Sequence, residues 1–320
     1  MKKKGWIWLS MVVAFSLLLA ACGSEETVQE DETGTNEDNG SSEEVVQDEN
    51  EEGLTITTSF SILGDIISQV IGDRGTVEYI VPIGEEPHEY EPVPSDFQKV
   101  SDADVFYVNG LDLEEWLESI LTNVTETEIV AISDGVTAIP LEGGEEDDPH
   151  AWLSAKNAIL YVDNIVEDLI KRDPDGESVY RENADAYITQ LEELDAWIEE
   201  EVVEIPEEKR VIVVSENAFK YFGADYGFET EGVWDINSHA EGTPQQVSRI
   251  IDLVNDLELP AVFVETTVNQ DFMKQVSNET NVPIAGEVYT DAVGLEGSGA
   301  ETYLEMMEHN VNVFVEGLTQ

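Results

Sequence analysis

SVYRENADAYITQLEELDAWIEEEVVE, residues 178–204, is the stretch on which the fold turns. Its apolar residues Tyr180, Ala184, Tyr187, Leu191, Leu194, Ile198 and Val202 recur at steps of three and four, the period of one buried helical face. Asp173-Pro174-Asp175-Gly176 punctuates the chain before it, and Pro206 ends it. About 27 residues rising 1.5 Å each span about 40 Å, enough to run the length of one lobe and cross into the next. A helix of that length is a stiff connector, so residues 175–206 are expected to join two bodies.

Working outward, both flanks alternate strand and helix. On the N-terminal side residues 54–59 read as a strand, 62–71 as a helix and 77–81 as a strand. A short helix capped by Ser95 follows, then a strand at 105–108, a helix at 113–121, a strand at 128–132 and a helix from Ser154 to about Lys171. On the C-terminal side strands at 211–214, 229–234, 261–264 and 284–288 alternate with helices, one of them opened by Thr243 as N-cap and Pro244 at its first position. With 320 residues, 41% of them hydrophobic, the chain can build two lobes, each with its own core. The expected fold is α/β: two doubly wound lobes, residues 54–174 and 207–320, each a mainly parallel sheet flanked by helices, joined by one long rigid helix.

The first residues set the compartment. Met1-Lys2-Lys3-Lys4 is a basic start, residues 6–19 are apolar, and Leu19-Ala20-Ala21-Cys22-Gly23 is a small-residue cleavage site with cysteine next to it. This resembles a bacterial lipoprotein signal, which implies removal of residues 1–21, a lipid on Cys22 and an extracytoplasmic protein anchored to the cell membrane. Cys22 is the chain's sole cysteine, which rules out an internal disulfide and any thiolate metal site. Residues 22–53 carry no Lys or Arg and only three valines as apolar side chains beyond the cysteine, so they read as a disordered acidic tether. Across the chain 71 Asp+Glu face 14 Lys+Arg, a formal net charge of −57. That excludes nucleic-acid binding through a basic face and suits either cationic cargo or a saline or alkaline medium.

Two of the four histidines follow a proline in loops between periodic elements: Pro87-His88-Glu89-Tyr90-Glu91-Pro92 and Asp148-Pro149-His150-Ala151-Trp152-Leu153. Prolines stiffen such loops and hold a histidine still, and the pair points to a shared metal. Glu216 and Asp291 fall just past strands, where ligands bind in open α/β sheets. Glu265 is an equally good candidate by position, and spacing alone does not choose among the carboxylates. Two imidazoles and two carboxylates in an interlobe cleft suit manganese, iron or zinc. His239 reads as a surface-loop residue and His309 as a solvated residue of the terminal helix.

These motifs, with Ser215-Glu216-Asn217-Ala218-Phe219-Lys220-Tyr221-Phe222, Glu241-Gly242-Thr243-Pro244, Phe263-Val264-Glu265 and Tyr289-Thr290-Asp291, resemble in kind and order the metal-binding lipoproteins of manganese and zinc ABC importers. The resemblance runs from Leu54 to the end of the chain. It implies two α/β lobes on a rigid helix holding a metal between them, with His88, His150, Glu216 and Asp291 as ligands and Glu265 in support. Glutamate at 216, where zinc-specific relatives generally carry histidine, and the absence of histidine from residues 142–148 imply manganese(II) as cargo, with zinc or iron(II) as alternatives.

The implied act is capture by a monomeric receptor, not an enzyme, and delivery to a membrane permease and its ATPase. Ligand histidines must be neutral, so affinity is expected to fall through the histidine range near about 6.5. Release is expected to involve modest lobe rocking and loop rearrangement. The rival readings are an extracytoplasmic metallohydrolase, which would need an open coordination position and a free base, and a surface adhesin.

Overall fold

The computed structural model describes residues 53–124, 126–141, 143–144, 146–237 and 242–320. The signal segment 1–21, Cys22, the tether up to residue 52 and His239 lie outside the described residues.

The N-terminal half opens with strand β1 (Leu54–Thr58), helix α1 (Ser61–Ile71) and strand β2 (Gly75–Tyr79). Helix α2 (Pro94–Asp102), β3 (Val105–Val108), α3 (Leu117–Asn123), β4 (Ile129–Ala131) and α4 (Ala155–Arg172) follow. The four strands form one all-parallel sheet in the order β2-β1-β3-β4. Every residue of β3 is buried, the mark of a strand covered on both faces. The second half carries β5 (Val211–Glu216), α6 (Lys220–Tyr226), β6 (Glu229–Trp234), α7 (Pro244–Asp256), β7 (Val262–Glu265), α8 (Asp271–Thr280), β8 (Ile284–Val288) and α9 (Tyr303–Leu318). Here β5 pairs with β6 and β7 with β8, both parallel, and β5 lies beside β7.

Between the halves runs α5 (Glu177–Glu201), followed by a tighter turn over Val202–Glu204. It packs on α1 and α4 of the first half and on α9 of the second, and it buries all seven residues of its expected face. The consequence differs from the expectation of separate cores. One apolar cluster runs from Ile56 and Phe106 through Tyr187 and Leu191 to Phe219, Phe222 and Phe314, while a second, smaller one fills the space under α7 and α8. Because the connector is itself core, the two halves are tied by apolar packing rather than by a chain crossing water.

Local starts depart from the sequence reading in two places. Ser95 is not the cap of α2: Val93 is, and the Asp96 carboxylate accepts the Val93 N–H at 2.8 Å while Pro94 presets the first helical turn. Helix α3 begins at Leu117 and not at 113, because the Glu114 carboxylate accepts the Ser59 hydroxyl and the Asn109 and Gly110 N–H groups and holds the preceding residues in a turn.

Ser154 caps α4 by accepting the Asn157 N–H at 3.1 Å, and Thr243 caps α7 as expected. No described helix is long and apolar enough to cross a membrane.

Candidate metal centre

Four loops or strand ends converge between the halves. His88 sits in the loop after β2, fixed from behind by Trp116, whose Nε1 donates to the Pro87 carbonyl at 2.7 Å. The Glu86 carboxylate accepts the His88 N–H at 2.9 Å. In the same way the Asp148 carboxylate accepts the His150 N–H at 2.9 Å, and the same oxygen lies 2.9 Å from His150 Nδ1. Its other oxygen accepts Lys220 Nζ at 2.8 Å, so a residue of α6 in the second half braces a histidine of the first.

Glu216 is the last residue of β5. The Ser215 and Glu216 N–H groups donate to the Glu265 carboxylate at 3.1 and 2.7 Å, and Glu216 Oε1 accepts the Asn237 N–H at 2.8 Å. Asp291 follows β8, its Oδ2 accepting the hydroxyls of Thr290 and Thr267 at 2.6 and 3.0 Å.

The result is a compact donor set. His88 Nε2 and His150 Nε2 are 3.2 Å apart, Glu216 Oε1 lies 3.6 and 3.8 Å from them, and Asp291 Oδ1 lies 3.5 Å from His150 Nε2. All four donors lie within 4.8 Å of one another. An ion bound tetrahedrally at about 2.0–2.2 Å sets its donors about 3.3–3.6 Å apart, so the cluster has the size of one coordination shell. All four residues are buried, Glu216 Oε2 and His88 Nδ1 have no hydrogen-bond partner among the described residues, and Asp291 Oδ1 has only the long 3.5 Å approach of His150 Nε2. Buried carboxylate oxygens left without a donor carry a large desolvation cost, which a cation would relieve.

Protons compete for the same space. Burial and the neighbouring His150 charge push the His88 pKa down to about 3, so this imidazole is neutral. Burial also opposes charge on His150, but Asp148 and Glu216 outweigh it and raise its pKa well above the ordinary histidine value. Burial, with Asp291 and Glu86 nearby, raises Glu216 well above the carboxylate range. For Asp291 burial is outweighed by the His150 hydrogen bond and charge, and its pKa falls. Burial and Asp291 carry Glu86 up to about 8.

The five candidates read from the sequence thus divide. His88, His150, Glu216 and Asp291 meet, whereas Glu265, at 1% exposure, spends its carboxylate on the backbone of β5. His309 is in the terminal helix with its ring nitrogen 2.9 Å from the Glu287 carbonyl, away from the cluster. Sequence reasoning missed Asp148, Lys220, Asn237 and Glu86. For two of these a signal was present, since each loop histidine is preceded by an acid and a proline: Glu86-Pro87-His88 and Asp148-Pro149-His150.

Two α/β halves on a stiff helix, closing over a buried set of imidazoles and carboxylates, define a solute-binding protein. The chain belongs to the ZnuA family, zinc-uptake complex component A, periplasmic, whose family model matches residues 56–317. It is 58% identical over 320 residues, the whole of both chains, to the manganese-binding lipoprotein MntA of Halalkalibacterium halodurans. Among solved structures it resembles a Mn-bound periplasmic metal binding protein from Candidatus Liberibacter asiaticus, with a TM-score of 0.76 and 32% identity over 82% of this chain and 98% of that one. It also resembles the periplasmic zinc binding protein TroA of Treponema pallidum, with a TM-score of 0.80 and 26% identity over 84% of this chain and all of that one.

Proposed function

We propose that this protein is the extracytoplasmic receptor of an ABC importer for a divalent transition metal, with manganese as cargo and His88, His150, Glu216 and Asp291 as its ligands. The observation that carries the proposal is the meeting of these four buried donors within 4.8 Å, drawn from loops on both sides of the connecting helix. Four protein donors leave less room for a reactive water than the open site a metallohydrolase needs, which supports carriage over catalysis. The ion is stripped of water on capture, held between the halves and handed to a membrane permease driven by an ATPase.

In this reading residues 54–174 and 207–320 are the two lobes and 175–206 the connector. Residues 1–21 are a signal, a lipid on Cys22 anchors a monomer, and the acidic segment up to residue 53 is the tether.

Oxygen donors favour manganese among hard ions, and the full-length relative from H. halodurans is named for it. Zinc is the second reading, supported by the family's description and by the Irving-Williams order, under which this mixed donor set binds zinc more tightly at equal concentration. Metal analysis of protein purified from its native membrane, with competition titration of Mn²⁺ and Zn²⁺ into the metal-free protein, tests both. Manganese in the native protein is the expected result; zinc alone, recovered even from manganese-replete cells, would reverse the assignment. Absence of any metal binding would end it.

A further inference from the structure

A cavity of about 590 Å³ opens beside the ligand set, between the loop that carries His88 and the segments after β6 and β7. Glu85, Glu86, Glu89 and Glu91 line it together with Asn237 and Thr267, and none of its described lining residues is basic. Three of these also touch the buried cluster. The Glu86 carboxylate lies 3.9 Å from His88 Nε2, the Asn237 N–H donates to Glu216 Oε1, and the Thr267 hydroxyl donates to Asp291. Asn237 is only 3% exposed, and its side chain lies against the Glu86 carboxylate, so one residue of the wall touches both the cavity and the ligand set.

Because each of the four donors is at most 1% exposed, an ion reaches them only past such a wall. On the other side of the same loop a smaller cavity of about 210 Å³ is lined by Ile83, Gly84, Tyr289, Ala292 and Val293 and offers a cation no carboxylate.

We infer that the acidic cavity is the path by which a hydrated divalent cation reaches the buried site, and that Glu86 is the carboxylate that takes the ion from cavity water and passes it to His88. The inference rests on the metal-receptor reading above. Four carboxylates around one concave space raise the local cation concentration and so the rate of encounter, while those at the rim leave the bound state little changed. Glu86 alone among them reaches the edge of the ligand set, so one of its oxygens can replace a water of the incoming ion before an imidazole does.

The test is stopped-flow mixing of manganese(II) chloride with the metal-free full chain, followed by tryptophan emission, at low and near-molar salt and at a pH above the Glu86 value of about 8, where its carboxylate is ionised. Glu86→Gln is expected to slow association by on the order of tenfold, to leave dissociation much less affected and to flatten the salt dependence of the association rate. Glu86→Asp, which keeps the charge, is expected to recover most of the rate. Wild-type association in Glu86→Gln would overturn the inference. So would a loss carried by faster dissociation alone, because that is what a mere prop for the His88 loop would give. Either result leaves the receptor reading intact if the wild-type protein binds manganese; failure of the wild type to bind overturns both.

Discussion

Replacing Asp148 with asparagine asks whether the His150 ring is held for a metal or only buried. One Asp148 oxygen serves both the N–H and Nδ1 of His150 at 2.9 Å, and the other serves Lys220 at 2.8 Å. With one proton kept on Nδ1, Nε2 can give up its own and offer a lone pair to an ion shared with Glu216 and Asp291, 3.8 and 3.5 Å away. Asparagine keeps the volume and can still accept from Nδ1. It then turns its NH₂ on the Lys220 ammonium, whose remaining carboxylate partner is Asp235 at 2.6 Å.

Loss of a partner of this kind weakens metal binding by about 10–100-fold, or roughly 1.4–2.7 kcal/mol. Competition titration of Mn²⁺ against a chelating dye measures the change, and circular dichroism of the metal-free variant verifies that it is folded. A second readout comes from the proton. Asp148 is the first of three groups, with Glu216 and Asp291, that raise the His150 pKa against its burial, so without it the variant's affinity should vary less steeply with pH. A folded variant with wild-type affinity, or a weakened one with the wild-type pH slope, would refute the reasoning.

In the wild type, His150 and Glu216 have raised pKa values and must lose their protons to bind, whereas His88 is already neutral. Binding at neutral pH should therefore release protons, and affinity should fall about tenfold per pH unit for each proton displaced. Calorimetry in buffers of different ionisation enthalpy counts them, and a release near zero would show that neither group is protonated beforehand. The same shifts set the stability of the metal-free protein. A raised folded pKa contributes stability that is present below the unfolded value and lost as pH rises through the folded one, so its melting temperature should drop from neutral to alkaline pH while the manganese-loaded protein changes less. Trp152→Phe keeps an aromatic ring but removes the Nε1 bond to the Thr290 carbonyl, 2.7 Å long and buried between the two halves. Denaturant titration should record a loss of about 1–3 kcal/mol, and an unchanged midpoint would mean that the carbonyl finds another donor.

The connector and the alternating elements were legible because each depends on periodicity along one segment, as in the face from Tyr180 to Val202. The choice between Glu216 and Glu265 was not legible from spacing. Both end a strand, and what separates them is that β5 lies beside β7, which lets Glu265 turn onto the backbone of Ser215 and Glu216 while Glu216 faces the histidines. Resemblance separated Glu216 from Glu265 where position could not, since neighbouring strands that are distant in sequence leave no local mark.

The repeated acid-proline-histidine pattern shows how far one motif can diverge. In both copies the acid caps its histidine's N–H at 2.9 Å. Asp148 is short enough to meet Nδ1 as well, and it fixes the ring. Glu86, longer by one methylene, lies 3.9 Å from Nε2 and leaves His88 Nδ1 buried with no partner among the described residues. The His150 ring is therefore fixed at Nδ1 by Asp148, while the His88 ring has close polar neighbours only at Nε2, among them His150 at 3.2 Å. Of the two histidines, His88 has the less constrained ring, and its loop is the one that walls the acidic cavity.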